Sequence, residues 1–96
     1  MIDWNSIEGF EWDRGNAVKS VSKHGVSCRE AEEIFHNEPL IVTGDPAHSK
    51  SAKRLRALGR TDAGRFLHAA FTVRANLIRV ISIRSMNRKE RKIYEN

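Results

Sequence analysis

The chain has 96 residues and a formal net charge of +5, from 17 Lys and Arg against 12 Asp and Glu. This length allows one domain and leaves no room for a second core. The single cysteine, Cys28, excludes an internal disulfide. The sequence contains neither a signal-peptide pattern nor a run of 18 apolar residues. We therefore expect a cytosolic protein without a membrane segment.

The first half of the chain predicts two helices. Asp13 can cap a helix that runs to about Lys23. Ser27 and Glu30 have the spacing of a capping box, which predicts a second helix that closes before Pro39. Trp12 precedes the first helix, and we interpret it as a buried anchor rather than a base-stacking residue.

The second half predicts an antiparallel sheet followed by a helix. Leu67, Ala69, Phe71 and Val73 alternate along one strand, so we expect one face of that strand to be core and the other to carry His68. The segments between the later strands have the composition of hairpin turns. The predicted strands are 40–44, 53–58, 65–73 and 77–83, and the last helix is 88–95, capped by Asn87.

These elements predict the fold class α+β, with two N-terminal helices, an antiparallel sheet of about four strands and a C-terminal helix. Arg79 lies within an otherwise apolar strand and therefore requires a partner. We predict a core that consists of Trp12, Ile34, Phe35, Leu67, Phe71, Val73, Val80, Ile81 and Ile83.

The basic residues are clustered along the chain. Residues 1–13 contain four acidic residues and no Lys or Arg, whereas residues 50–65 contain six Lys and Arg. Such a cluster on a small domain indicates a polyanionic partner such as nucleic acid, although a merely solvated cationic surface is about as common. The four histidines have no Cys or His at metal-ligand spacing, so we predict no metal site.

Several short motifs occur in a fixed order: FEWD at 10–13, KHGVS at 23–27, EA and IF within 30–35, an arginine and a glycine at 54 and 59, IRVISIR at 78–84, and RKERKIYE at 88–95. In this order they resemble the BrnT family of ribonuclease toxins from bacterial type II toxin-antitoxin systems. The resemblance covers residues 10–95 of a single domain and leaves 1–9 as an N-terminal extension. It implies a fold similar to that of RelE-type toxins. Asn16, Ser20 and His68 depart from the residues usual in the family.

The resemblance implies cleavage of RNA without a metal or a cofactor. Such cleavage needs a base for the 2′-OH, cations for the phosphate and an acid for the leaving oxygen. Arginine suits the phosphate because its guanidinium stays charged and can donate two hydrogen bonds at once. The candidate catalytic residues are His24, Arg54 and Arg84, and the candidate RNA-binding residues are Lys23, Arg79 and Arg88.

Each candidate has a structural alternative. Arg54 and Arg84 could instead form salt bridges with acidic residues or remain solvated. His24 could act as an acid or base, or could cap the carboxyl end of the first helix. Lys23 could bind phosphate or solvate the same helix end. For His68 we expect a position that faces RNA or has no role.

The resemblance also implies a partner. It is an antitoxin with a ribbon-helix-helix DNA-binding part, which would form an assembly of two toxins and two antitoxins and would connect the toxin to operator DNA. The alternative function is a binding module that holds RNA or DNA through its basic charge without chemistry.

Overall fold

The computed structural model describes residues 2–17, 24–48 and 53–96. These residues form a mixed α+β fold, as predicted, in which helices cover parts of both faces of a five-stranded sheet. The strands are β1 (Gly9–Phe10), β2 (Ile41–Gly44), β3 (Leu55–Arg60), β4 (Phe66–Arg74) and β5 (Leu77–Ser85), and the helices are α1 (Cys28–His36) and α2 (Arg88–Glu95). Residues 14–17 and 24 are also helical. Single 3₁₀ turns occur at Trp4–Ser6 and Pro46–His48.

The strand order in the sheet is β1-β5-β4-β3-β2. Strands β2 to β5 are antiparallel, whereas β1 pairs with β5 in parallel. The prediction of about four antiparallel strands therefore omitted one strand and one parallel pairing. A strand of two residues has no alternation to detect, and it exists because its flanking amides bond to a distant strand. The Glu8 amide donates to the Asn76 carbonyl at 2.8 Å, and the Glu11 amide donates to the Ile78 carbonyl at 2.9 Å.

The predicted capping signals are present in the structure. The Ser27 hydroxyl accepts from the Glu30 amide at 3.1 Å, and the Glu30 carboxylate accepts from the Ser27 amide at 3.0 Å. Asn87 begins α2 with a second capping box. The Asp13 carboxylate accepts from the Gly15 amide at 2.8 Å, at the start of helical residues 14–17. The remainder of the first predicted helix, 18–23, lies outside the described residues.

The main core lies between α1 and one face of the sheet. Five predicted core residues are fully buried there: Ile34, Leu67, Phe71, Val80 and Ile83. Trp12, Phe35 and Val73 are partly buried against this core. The Trp12 indole also donates to Glu32 at 2.6 Å, which fixes the chain ahead of residues 14–17.

A β-bulge explains why Ile81 is only half-buried. Phe71 on β4 pairs with Val80 on β5, but Ala70 pairs with Ser82, so Ile81 is an extra residue on β5. The bulge interrupts the alternation and places Val80 and Ile83 on the same face. It also places Arg79 and Arg84 together on the opposite face.

Strand β4 is buried on both faces, which corrects the prediction that only one face is core. His68, Ala70 and Thr72 are buried on the face that points away from α1. A second apolar cluster at one end of this face joins α2 to the sheet. It contains Leu58, Met86 and Tyr94, with Ile41 and Phe66 packed against them.

Candidate functional site

Strand register brings several arginines to the sheet face opposite α1, including Arg60 and Arg74 at strand ends. Arg56 on β3 lies beside Ala70 on β4, which pairs with Ser82 on β5. Arg79 and Arg84 lie on the same side of β5, with Ser82 between them. Arg54 lies two residues before Arg56, a spacing that returns to the same side of an extended chain. We call these four residues, Arg54, Arg56, Arg79 and Arg84, the arginine face.

Three residues of the arginine face were candidates from the sequence, and each of them contacts an acidic residue. Arg54 lies 3.6 Å from Asp45. Arg79 contacts Asp13 at 2.8 Å, and it thus has the partner that its apolar strand required. The Arg79 guanidinium donates hydrogen bonds that hold the pKa of Asp13 below its usual value.

Arg84 forms a bidentate salt bridge with Glu90 of α2. Its two terminal nitrogens donate to the two carboxylate oxygens at 2.8 and 2.9 Å. These hydrogen bonds are the largest cause that lowers the pKa of Glu90 to about 2. The pair ties α2 to the sheet. The salt-bridge alternatives for Arg54 and Arg84 are therefore present in the structure, and their contacts with RNA remain predictions.

Glu90 also faces two residues for which the sequence predicted no site role. Its Oε2 lies 3.6 Å from Arg56 and 3.9 Å from the His68 imidazole. The Nε2 of His68 accepts from the Arg56 Nε at 3.1 Å. Burial, followed by the positive charge of Arg84, lowers the pKa of His68, which is therefore neutral at pH 7. His68 is buried, so the expectation that its side chain faces RNA was wrong.

The junction around His24 is held by Arg65. The Arg65 guanidinium donates to the Gly25 carbonyl at 3.0 Å, to the His24 carbonyl at 3.4 Å and to Glu30 at 3.2 Å. Gly25 has a φ of +64°, which a glycine adopts without strain after a helix end. Arg65 therefore bonds the carbonyls that the His24 side chain was a candidate to cap. The His24 side chain is exposed.

The other predicted RNA-binding residues lie away from these contacts. Arg88 is the exposed first residue of α2, and Lys23 lies outside the described residues. Two surface clefts of about 640 and 630 Å³ flank the N-terminal segment, and neither is lined by a predicted site residue. Polyanion binding needs cations rather than a deep cleft, so the arginine face is the stronger candidate.

Two kinds of feature are absent from residues 2–17, 24–48 and 53–96. Within them, no three His, Cys, Asp or Glu side chains are grouped as ligands for a metal ion. Within the same ranges, no helix has the length and apolar character to cross a membrane.

A comparison with protein families assigns the chain. The model described as ribonuclease toxin, BrnT, of type II toxin-antitoxin system matches residues 12–90. The chain belongs to the BrnT family. No curated protein matches it. The family consists of ribonuclease toxins, and membership in a type II system implies a protein antitoxin as partner.

Sequence reasoning missed three residues beside the BrnT arginines: Arg56, His68 and Glu90. Arg56 could have been found from its spacing of two from Arg54, since alternate residues of a strand share a face. Glu90 is the single acid within the basic run RKERK, and this isolation is a local signal for a buried partner. His68 has no comparable local signal. Its contacts arise from three elements that are distant in sequence.

The stability of this BrnT protein should fall in two acidic steps. Folding lowers the pKa of His68 below its ordinary value of 6.5. This shift stabilises the protein above pH 6.5, and the contribution is lost as the pH falls below that value. Folding lowers the pKa of Glu90 from 4.5 to about 2. Above pH 4.5 this shift stabilises the protein by at most about 3 kcal/mol, and the contribution is lost as the pH falls from 4.5 to about 2. We expect Glu90→Gln to lower stability at pH 7 and to remove much of the second step.

Urea unfolding at a series of pH values tests this expectation. Glutamine also serves at the third position of a capping box, so the substitution keeps the start of α2 and removes the charge. Glu95→Gln is the matched control, because Glu95 is an exposed acid on the same helix and pairs with Arg91 at 3.5 Å. We expect this control to change the free energy of unfolding by less than about 0.5 kcal/mol. Equal effects of the two substitutions would contradict the role of Glu90.

Proposed function

We propose that this BrnT protein is a metal-independent endoribonuclease that cleaves cellular RNA in the cytosol. The observation that carries the proposal is the arginine face, where β3 and β5 aim guanidinium groups from one rigid sheet surface. Side chains on strands of one sheet keep fixed separations, as the binding of a scissile phosphate requires, and β4 lies between β3 and β5 here. A fold similar to that of RelE-type toxins is part of the same proposal.

In the proposed reaction, Arg54 and Arg84 bind the scissile phosphate. Their guanidinium groups stay charged and stabilise the additional negative charge that develops during attack by the 2′-oxygen. His24, whose side chain is exposed, transfers a proton as base or acid. Arg79, Arg88 and Lys23 contact the flanking RNA.

The acidic partners of the arginines are compatible with this role. A carboxylate and a phosphate both accept paired hydrogen bonds from a guanidinium, so RNA can replace or share the carboxylate. The side chains of Arg54 and Arg84 remain 26% and 35% exposed despite their ion pairs. Asp45 and Glu90 thus contact the cations while part of each arginine side chain stays exposed.

The proposed inhibitor is a ribbon-helix-helix antitoxin that forms a complex of two toxins and two antitoxins. An acidic segment of such a partner would complement the basic surface and cover the arginines. Operator DNA would be bound through the antitoxin rather than by this chain. In this arrangement, antitoxin binding and RNA cleavage exclude each other.

The test combines a cleavage assay with the antitoxin. Purified protein is incubated with a long RNA in excess chelator, with and without the small protein encoded beside its gene. We expect cleavage in chelator, its loss when the partner is added, and a complex mass that corresponds to two copies of each chain. Intact RNA that is nevertheless retarded on a gel would favour a non-catalytic binding module. A neighbour that neither binds nor inhibits would overturn the partner proposal.

A further inference from the structure

We propose that Arg56 binds a phosphate of the RNA and that His68, which accepts a hydrogen bond from Arg56, is the residue that positions it. This inference deepens the proposed function, on which it rests, by adding a substrate contact and its support to the arginine face. Arg56 of β3 and His68 of β4 form a hydrogen-bonded pair, and the Glu90 carboxylate of α2 lies within 4 Å of both.

Arg56 is the most exposed residue of the arginine face. Its side chain is 45% exposed, compared with 26% for Arg54, 22% for Arg79 and 35% for Arg84. Its Nε is nevertheless fixed by the hydrogen bond to His68 at 3.1 Å. The side chain is therefore oriented by a hydrogen bond at Nε and remains 45% exposed, an arrangement suited to binding a polyanion.

The charges around Glu90 leave Arg56 incompletely neutralised. Both oxygens of Glu90 accept short hydrogen bonds from Arg84. Arg56 lies 3.6 Å from the same carboxylate, beyond hydrogen-bond distance. With His68 neutral, two guanidinium groups share one carboxylate, and the cluster has a net charge of about +1. A phosphate oxygen at the Arg56 tip would balance this charge and accept its terminal N–H groups.

His68 can position Arg56 only while its Nε2 carries no proton. The groups that face it are Arg56 from β3, Arg84 from β5 and Glu90 from α2. Protonation would remove the acceptor of the Arg56 hydrogen bond and place a second cation beside it. Arg56 would then lose its fixed direction. RNA binding through Arg56 should therefore weaken in acid.

The first experiment measures binding of a single-stranded 2′-O-methyl RNA, which lacks the 2′-OH that cleavage requires. Arg56→Ala is expected to weaken binding about tenfold. It should also reduce the slope of log affinity against log salt by about 0.7, the contribution of one phosphate contact to a single strand. Arg29→Ala is the matched control, because Arg29 is an exposed arginine on α1, which packs against the other face. We expect wild-type affinity and slope for this control.

The second experiment separates positioning from simple packing. His68→Gln supplies a neutral acceptor, whereas His68→Leu supplies only apolar volume. We expect His68→Leu to bind as weakly as Arg56→Ala, and His68→Gln to bind as wild type at pH 7. The acid-induced loss of affinity seen in wild type should be reduced in His68→Gln. Urea unfolding at pH 7 verifies that each variant is folded.

Two results would overturn the inference: an Arg56→Ala affinity and salt slope equal to those of Arg29→Ala, or a folded His68→Leu variant that binds as tightly as wild type. Because this RNA cannot be cleaved, the experiment tests the Arg56 contact through binding alone. A wild-type protein that binds RNA but never cuts it would overturn the nuclease proposal separately.

Discussion

Replacing Arg84 is expected to lower the rate of RNA cleavage by about 10²- to 10³-fold, the loss typical when one group that stabilises transition-state charge is removed. Arg84→Lys is the sharper form of this test. Lysine retains the positive charge near Glu90, but it cannot donate the paired hydrogen bonds that a guanidinium gives to a phosphate. Arg54→Ala should act in the same direction, since Arg54 occupies the same face. Single-turnover cleavage with excess protein measures the effect directly.

The Glu90 pair makes a stability control necessary. Arg84→Ala leaves Glu90 as a buried carboxylate without its main partner, and breaking one half of such a pair costs about 3 to 5 kcal/mol. Arg84→Ala combined with Glu90→Gln removes both charges and should recover part of this stability, but not the cleavage rate. Arg29→Ala should cleave as wild type. Folded Arg84 variants with rates within about twofold of wild type would exclude Arg84 from the site.

Phe71→Ala is expected to destabilise the protein by about 3 to 5 kcal/mol. Phe71 is fully buried between α1 and the sheet, and its ring lies 5.1 Å from the ring of Phe35 in an edge-on arrangement. Removing it leaves a cavity at the centre of the main core. Urea unfolding at pH 7 provides the free energy of unfolding.

Ile93→Ala is the comparison for Phe71→Ala. The side chain of Ile93 is 50% exposed on α2, so its truncation should cost far less. A loss well under about 1 kcal/mol for Phe71→Ala would contradict the core that was predicted from the alternation of β4.

Elements with local causes could be predicted from the sequence. The capping boxes at Ser27 and Asn87 bond residues three positions apart, so the chemistry that starts α1 and α2 lies in adjacent residues. The hairpin between β4 and β5 turns at Ala75 and Asn76, both with positive φ, within the segment predicted as a turn. The core face of β4 follows from period-two alternation alone. Arg54, Arg79 and Arg84 of the candidate site were named from the sequence because they lie on or beside predicted strands, within motifs that resemble the family.

Only the tertiary structure decided the features that depend on long-range pairing. Strand β1 is two residues long and is stabilised by amides and carbonyls about 70 positions away, which local patterns do not encode. One end of the second face of β4 is buried because α2 returns over the sheet there. That return brings Glu90 beside Arg84, Arg56 and His68. Glu90 is far from Arg56 and His68 in sequence, so local patterns do not predict these contacts. Three residues of the arginine face were named from residue type and motif, but their charge balance depends on which distant carboxylates the fold places beside them.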